Sequence, residues 1–130
     1  MRKYRNEKTR VRGVLFDSKK EAVRYANLLW AQEGGLITDL RRQVRFQIIP
    51  PLTLDGKTAE REAVYIADFV YRITEANNPD NGKVVIEDTK GYKTPDYILK
   101  RKLMKWHIRT GDLHDKEGNL YGSDTVFLES

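Results

Sequence analysis

Two runs of sequence decide the fold: Ala63-Val64-Tyr65-Ile66-Ala67-Asp68-Phe69-Val70-Tyr71 and Val84-Val85-Ile86-Glu87-Asp88-Thr89-Lys90. Both are almost continuously apolar apart from their acids, and both are rich in β-branched and aromatic residues, which predicts strands over 62–73 and 83–90. Between them, Asn77-Asn78-Pro79-Asp80-Asn81-Gly82 concentrates residues that suit tight turns. The two strands are therefore expected to pair as a hairpin.

Upstream, Val44, Phe46 and Ile48 alternate with Arg45 and Gln47 and run into Pro50-Pro51, which predicts a half-buried strand with a proline stop. Before it, Ser18 to Gln32 reads as a helix, with Ala22, Tyr25, Ala26, Leu29 and Trp30 as the expected buried stripe and Gly34-Gly35 as its end. Downstream, Thr94-Pro95-Asp96 opens a second helix with a cap residue, a proline at the first helical position and an acid at the positive dipole end. It is expected to reach about Trp106 and to bury Ile98, Leu99, Leu103 and Trp106. A polar loop over 111–122 and a last strand at 125–128 complete the order. The fold class is α/β, one mixed β-sheet flanked by helices. Residues 1–12 form a basic flexible arm in this reading, and 13–130 a single domain.

Composition narrows the chemistry. Lys and Arg outnumber Asp and Glu by 24 to 19, a net charge of +5 that favours polyanionic partners without identifying one. With no cysteine and two histidines, thiolate zinc sites, iron–sulfur clusters and sites built on several imidazoles are excluded. No apolar run approaches the roughly 20 residues that a membrane span needs, and the N-terminus does not resemble a secretory signal. A soluble, cytoplasmic protein is expected.

Residues two apart in a strand share a face, so Asp88 and Lys90 should point one way and Glu87 the other, with Asp68 aligned with Ile66 and Val70. An unpaired carboxylate in an apolar strand costs several kcal/mol or forces its own protonation. Two aspartates on paired strands repel, and a divalent cation relieves that. Hard oxygen donors of this kind suit Mg²⁺ or Mn²⁺. Asp68, Asp88 and the carbonyl of Thr89 are the expected ligands, and Lys90 the group that assists at a phosphate. A buried Asp88–Lys90 ion pair, with Asp68 hydrogen-bonded elsewhere, fits the same residues. Glu21 is equally open, because Ser18-x-x-Glu21 has capping-box spacing and the same side chain could reach the metal site.

Lys93, Lys100, Arg101 and Lys105 form a basic patch on the second helix and its approach, joined by Arg2, Lys3 and Arg5 of the arm. Beside a phosphodiesterase site such a patch reads as a DNA-binding surface. Tyr92 is expected to be a packed core tyrosine, and His107 and His114 to be surface residues.

Taken together, Phe16 to Ala22, Leu40 to Phe46 with Gln43, Ala67 to Tyr71, Glu87 to Gly91, Thr94 and Lys100-Arg101-Lys102 resemble, in order, a family of small phage and prophage proteins. That family is known mostly as a domain of unknown function and is assigned to the PD-(D/E)XK nuclease superfamily. The resemblance implies a restriction-endonuclease-like core, with Asp68 and Asp88 as metal ligands, Lys90 as the superfamily lysine and Glu21 completing the site from the first helix. Asp88 stands where many members carry Glu. The layout is similar to that of phage junction-resolving endonucleases, which implies a homodimer acting on four-way or other branched DNA in the bacterial host of a phage or prophage. A DNA-binding accessory protein of replication or packaging, with weak or no catalysis, is the alternative.

Overall fold

A computed structural model describes residues 8–130, so Arg2, Lys3 and Arg5 lie outside the described residues. In chain order the elements are β1 (Thr9–Val11), β2 (Val14–Phe16), α1 (Lys19–Glu33), β3 (Ile37–Ile49), β4 (Leu52–Leu54), β5 (Lys57–Glu60), β6 (Ala63–Ile73), β7 (Val84–Asp88), α2 (Pro95–Thr110), β8 (Leu113–His114), β9 (Leu120–Tyr121) and β10 (Val126–Glu129). β6 and β7 pair antiparallel across the expected turn, β3 pairs antiparallel with the other side of β6, and β10 runs parallel to β7. The sheet is therefore mixed, with strand order β10-β7-β6-β3.

Neighbouring residues of β7 enter different cores, as strand alternation requires. Val85 joins Phe16, Ala22, Leu28, Phe69 and Tyr71 under α1, whereas Ile86 joins Phe46, Val70, Met104, Ile108 and Leu113 under α2. The helices thus cover opposite faces of one sheet. Among the described residues, no helix is long and apolar enough to cross a membrane.

The first helix begins where its cap residue predicts, with Ser18 Oγ accepting from the Glu21 backbone N–H at 3.4 Å. Gly35 supplies the left-handed residue after its end, at φ 76°. Its buried stripe differs from expectation: Ala22 and Leu28 are buried, and Trp30 is 79% exposed. The second helix shows the same kind of rotation. Tyr97, Met104 and Ile108 are buried, while Leu99 and Trp106 face solvent. Both stripes have helical spacing, and the hydroxyl of Tyr97, donating to Glu129 at 2.6 Å, favours the observed one. The helix also runs four residues past Trp106, to a Gly111 cap at φ 73°.

Three further expectations change. Thr9–Val11, inside the expected arm, pairs with β2 as a hairpin, and Val11 packs on the α1-side core. Tyr92 is 80% exposed rather than packed. His107 is tethered: its Nε2 lies 2.8 Å from the Ile48 carbonyl and its Nδ1 3.1 Å from Asp112.

The 111–122 segment is ordered by Asp115, whose side chain is buried and collects five hydrogen bonds. The backbone N–H groups of Glu117 and Asn119 donate to Oδ1, and the Asn119 amide, the Tyr121 hydroxyl and Arg41 donate to Oδ2. These donors outweigh the effect of burial and hold its pKa down at about 2, below the ordinary 3.8. A lowered folded-state pKa stabilises above the unfolded value and is lost as pH falls through the folded one. Asp115→Asn is accordingly expected to cost about 2 kcal/mol at pH 7. In thermal melts the gap from wild type should close between pH 4 and pH 2; a pH-independent gap would sink the assignment.

On the α1 side, Glu87 is fully buried and ionised. Arg24 of α1 grips it in bidentate fashion at 2.5 and 2.9 Å, while the hydroxyls of Tyr71 and Ser130 donate at 2.6 and 2.7 Å. These donors lower its pKa against the opposing effect of burial. Arg24→Ala leaves that charge without its cation and should cost about 3 kcal/mol in chemical denaturation. Arg24→Lys should recover only part of it, because an ammonium cannot form the bidentate fork.

Candidate functional site

The end of β7, the centre of β6, a kink in β3 and the first turn of α1 converge on one small region. Its origin lies in β3, where Gln43 adopts a left-handed backbone at φ 53°. Such a conformation costs a non-glycine residue of order 1 kcal/mol and persists only where the surroundings enforce it. Arg42 pairs with Phe69 and Val44 with Ala67, which sets Gln43 across from Asp68 at the break. The alternation of β6 slips there as well. Tyr65 and Ala67 belong to the α2-side core, Phe69 and Tyr71 to the α1-side core, and Val70 to the α2 side again. The expected alignment of Asp68 with both Ile66 and Val70 is therefore broken.

Asp68 is buried and held from two directions. Its Oδ2 accepts from the Thr89 backbone N–H at 2.9 Å and from the Thr89 hydroxyl at 3.1 Å, and its Oδ1 accepts from the Gln43 amide at 3.4 Å. Asp88 is fully buried, and its Oδ2 accepts from the Tyr65 hydroxyl. Its Oδ1 has no hydrogen-bond partner. Lys90 Nζ stands 3.6 Å from that atom, close enough for ionic attraction but too far for a hydrogen bond. Burial pushes the Asp88 pKa up to about 6, with the charge of Lys90 opposing it.

As expected, Asp88 and Lys90 share a side and Glu87 points away, its carboxylate spent on Arg24. Thr89 and Lys90, however, lie past the end of β7, so Lys90 is placed by the loop and not by the strand. Its ammonium also sits 5.0 Å from the centre of the Tyr97 ring.

Glu21 does not reach back to cap Ser18; the backbone N–H of Glu21 is the group that Ser18 receives. Its carboxylate instead faces the acid pair. Burial first, then the negative charge of Asp68, raises its pKa to about 7, while Arg42 pulls it down from 3.9 Å. Arg42 lies over the Phe16 ring at 4.5 Å and its buried Nε has no partner. Among the described residues, no three Asp, Glu or His side chains are gathered closely enough to enclose a metal ion. The donor set nonetheless fits a hard cation: two buried carboxylates on adjacent strands, a third acid facing them, and one carboxylate oxygen withdrawn from water without a donor.

Of the residues expected from sequence, Glu21, Asp68, Asp88, Thr89 and Lys90 are brought together. The basic residues form a separate group on α2. Lys93 and Lys105 are exposed, Lys100 pairs with Asp96 at 3.7 Å, and Arg101 is drawn inward to Glu129 at 3.0 and 3.1 Å. Sequence reasoning missed Tyr65, which reads as one more core aromatic, and Arg42. It reached Gln43 only through the family resemblance. An open cavity of about 590 Å³ lies elsewhere, lined by Arg41, Arg72 and Tyr121 among others, and its Arg41 is already engaged by Asp115.

The family model described as "protein of unknown function (DUF1064)" matches residues 1–117, and the chain belongs to that family. No curated protein and no solved structure matches the chain.

The raised pKa of Asp88 has a stability consequence. For an acid, a folded-state value above the unfolded one means that ionisation costs stability, fully so above the folded value. In EDTA at pH 8, Asp88→Asn should therefore stabilise the protein by about 2 kcal/mol, since the amide oxygen still accepts from Tyr65. The gain should shrink toward zero near pH 4; a loss of stability at pH 8 would contradict it.

Proposed function

We propose that the protein is a Mg²⁺- or Mn²⁺-dependent DNA endonuclease with a restriction-endonuclease-like core of the PD-(D/E)XK type. The observation that carries this reading is Asp88, fully buried beside Asp68 with one oxygen unpartnered and Lys90 at its edge. A group with only a structural role would be expected to have both oxygens satisfied, as Glu87 and Asp115 do. An acid kept at a cost to stability, beside a partly exposed lysine and an aspartate held by a strained residue, has the features of a site maintained for chemistry.

Asp68, Asp88, the Thr89 carbonyl and Glu21 would hold the cation. When bound, the ion supplies Lewis acidity toward a phosphate oxygen. The protein's own residues do the rest. Tyr65 and Thr89 hold the two aspartates in place by donating to the oxygens described above. Lys90, about a third exposed, presents a cation to the scissile phosphate and offsets the charge that builds up on it. Lys20, whose Nζ lies 3.4 Å from the Lys90 carbonyl, adds a second cation at the rim. Lys93 and the basic face of α2 bind the backbone on either side, without reading sequence.

The substrate class we favour is branched or recombining phage DNA in the bacterial cytoplasm, cut by a homodimer. The described residues hold one such site, so paired cuts on two strands would need two copies. Weak or absent catalysis in a DNA-binding accessory protein is the alternative.

The test is cleavage of supercoiled plasmid and of a synthetic four-way junction, with Mg²⁺, Mn²⁺ or EDTA. Cutting should require the metal, and Lys90→Ala should slow it by about 100-fold or more. Asp68→Asn and Asp88→Asn should abolish it and should also remove the rise in melting temperature that Mn²⁺ gives the wild type. Binding of either DNA without cutting, unaffected by these changes, would instead support the accessory role.

A further inference from the structure

Trp106 is 60% exposed on α2, although its spacing suits a core position. It forms one wall of an open groove of about 510 Å³ between α2 and the start of β10. The floor is apolar, with Phe127 beneath, and Lys102, Lys105 and Arg109 stand around it; no acid lines it. Among the described residues these three cations form no ion pair, in contrast to Lys100 and Arg101 on the same helix. Lys105 Nζ lies 5.8 Å from the centre of the Phe127 ring. Phe127 in turn sits 6.0 Å from the ring of Tyr65, whose hydroxyl holds Asp88. Phe127 and Tyr65 thus connect the wall of the groove to the carboxylate site through packed, largely buried side chains.

We propose that this groove takes an unpaired nucleotide of a DNA strand, its base stacked on Trp106 and its neighbouring phosphates on Lys102, Lys105 and Arg109. The proposal rests on the nuclease reading for its choice of DNA, and it narrows the substrate to DNA with an unpaired stretch. An indole face open to solvent beside uncompensated cations suits a flat aromatic ring carrying a phosphate on each side. A base within a duplex cannot present its face, because its neighbours in the stack cover it. An apolar helix from a protein partner would fill the floor and leave the three cations desolvated.

The position of the groove sets the distance from the cut. Tyr97 lies beside Lys90, and Trp106 is nine residues further along α2, which at about 1.5 Å per residue is roughly 14 Å. Because Trp106 also lies on the opposite side of the helix from Tyr97, the path for a strand is about four stacked nucleotides or more. The unpaired base is thus held a few nucleotides from the scissile bond, as at a flap or a gapped branch point.

The experiment uses the full chain carrying Trp30→Phe, which leaves Trp106 as the sole tryptophan, in EDTA so that nothing is cut. A single strand of about twelve thymidines should quench its emission saturably, and a blunt duplex of the same length should bind about tenfold more weakly. Read by anisotropy of a labelled strand, Trp106→Ala should bind about tenfold more weakly, with Trp106→Phe in between. Lys102→Gln with Lys105→Gln should reduce the salt dependence, log Kd against log salt, by about 1.4. Absence of quenching, equal binding by Trp106→Ala, or duplex bound as tightly as single strand would overturn the proposal. A protein that cuts DNA while Trp106 stays unquenched sinks the groove alone. Quenching by a protein that never cuts sinks the nuclease alone.

Discussion

Two consecutive acids, Glu87 and Asp88, are withdrawn from water at the end of one central strand, and the rest of the architecture follows from how differently they are treated. Strand alternation sends them to opposite faces, one toward each helix. Burying a carboxylate is tolerable only when its charge is compensated and its oxygens are satisfied. Glu87 meets that demand in full, with a bidentate arginine and two hydroxyls around it. This contact fixes α1 on the sheet, and with it Glu21, three residues before Arg24. Asp88 meets the demand by half, with one tyrosine hydroxyl, one distant lysine and one bare oxygen. The fully compensated acid stabilises the scaffold, and the other raises the energy of the folded state in a way that a bound cation would reverse.

The same logic explains why backbone strain is concentrated in β3. A regular antiparallel ladder would carry Asp68 past the site in strict alternation with its apolar neighbours. The left-handed Gln43 breaks the pairing opposite Asp68, and β6 changes phase across that point. The acid is thereby set at the boundary between the two cores, where Thr89 can reach it from the neighbouring strand. β3 carries a second left-handed residue, Asp39, beside a register shift, whereas Gln43 is held between the regular pairs of Arg42 with Phe69 and Val44 with Ala67.

Much of this could be read from the sequence because it depends on period and on local chemistry. The hairpin, the Ser18 and Thr94 caps and the opposed directions of Glu87 and Asp88 all follow from residue spacing. What could not be read depends on partners far along the chain. Tyr65 looks like any core aromatic until Asp88 is folded against it, 23 residues later. Nothing local marks Gln43 as a left-handed residue, since the cause is the pairing of β6 on either side of it. Four of the five donors to Asp115 are local, but the chain reversal that brings them round it is completed by Arg41 and Tyr121 against the edge of the sheet. The two helices show the limit of periodicity most plainly. A helix with apolar residues on more than one face offers several stripes, and composition alone does not choose among them.

For α2 the choice is made by polar tips, and it has a functional consequence. Tyr97 and Arg101 both reach Glu129 at the end of β10, a neutral and a charged donor sharing one carboxylate. Those bonds fix the rotation of the helix about its own axis. Once Tyr97 turns inward, Trp106 lies away from the buried Tyr97–Met104–Ile108 line and is left on the outside. Turning Trp106 inward would gain apolar burial but would break the Glu129 contacts and bury Tyr97 less well. The polar cluster at one end of the helix therefore sets what the other end presents to solvent. An exposed tryptophan beside cations without ion pairs among the described residues is the by-product of that constraint, and the proposed stacking of an unpaired base would make use of it.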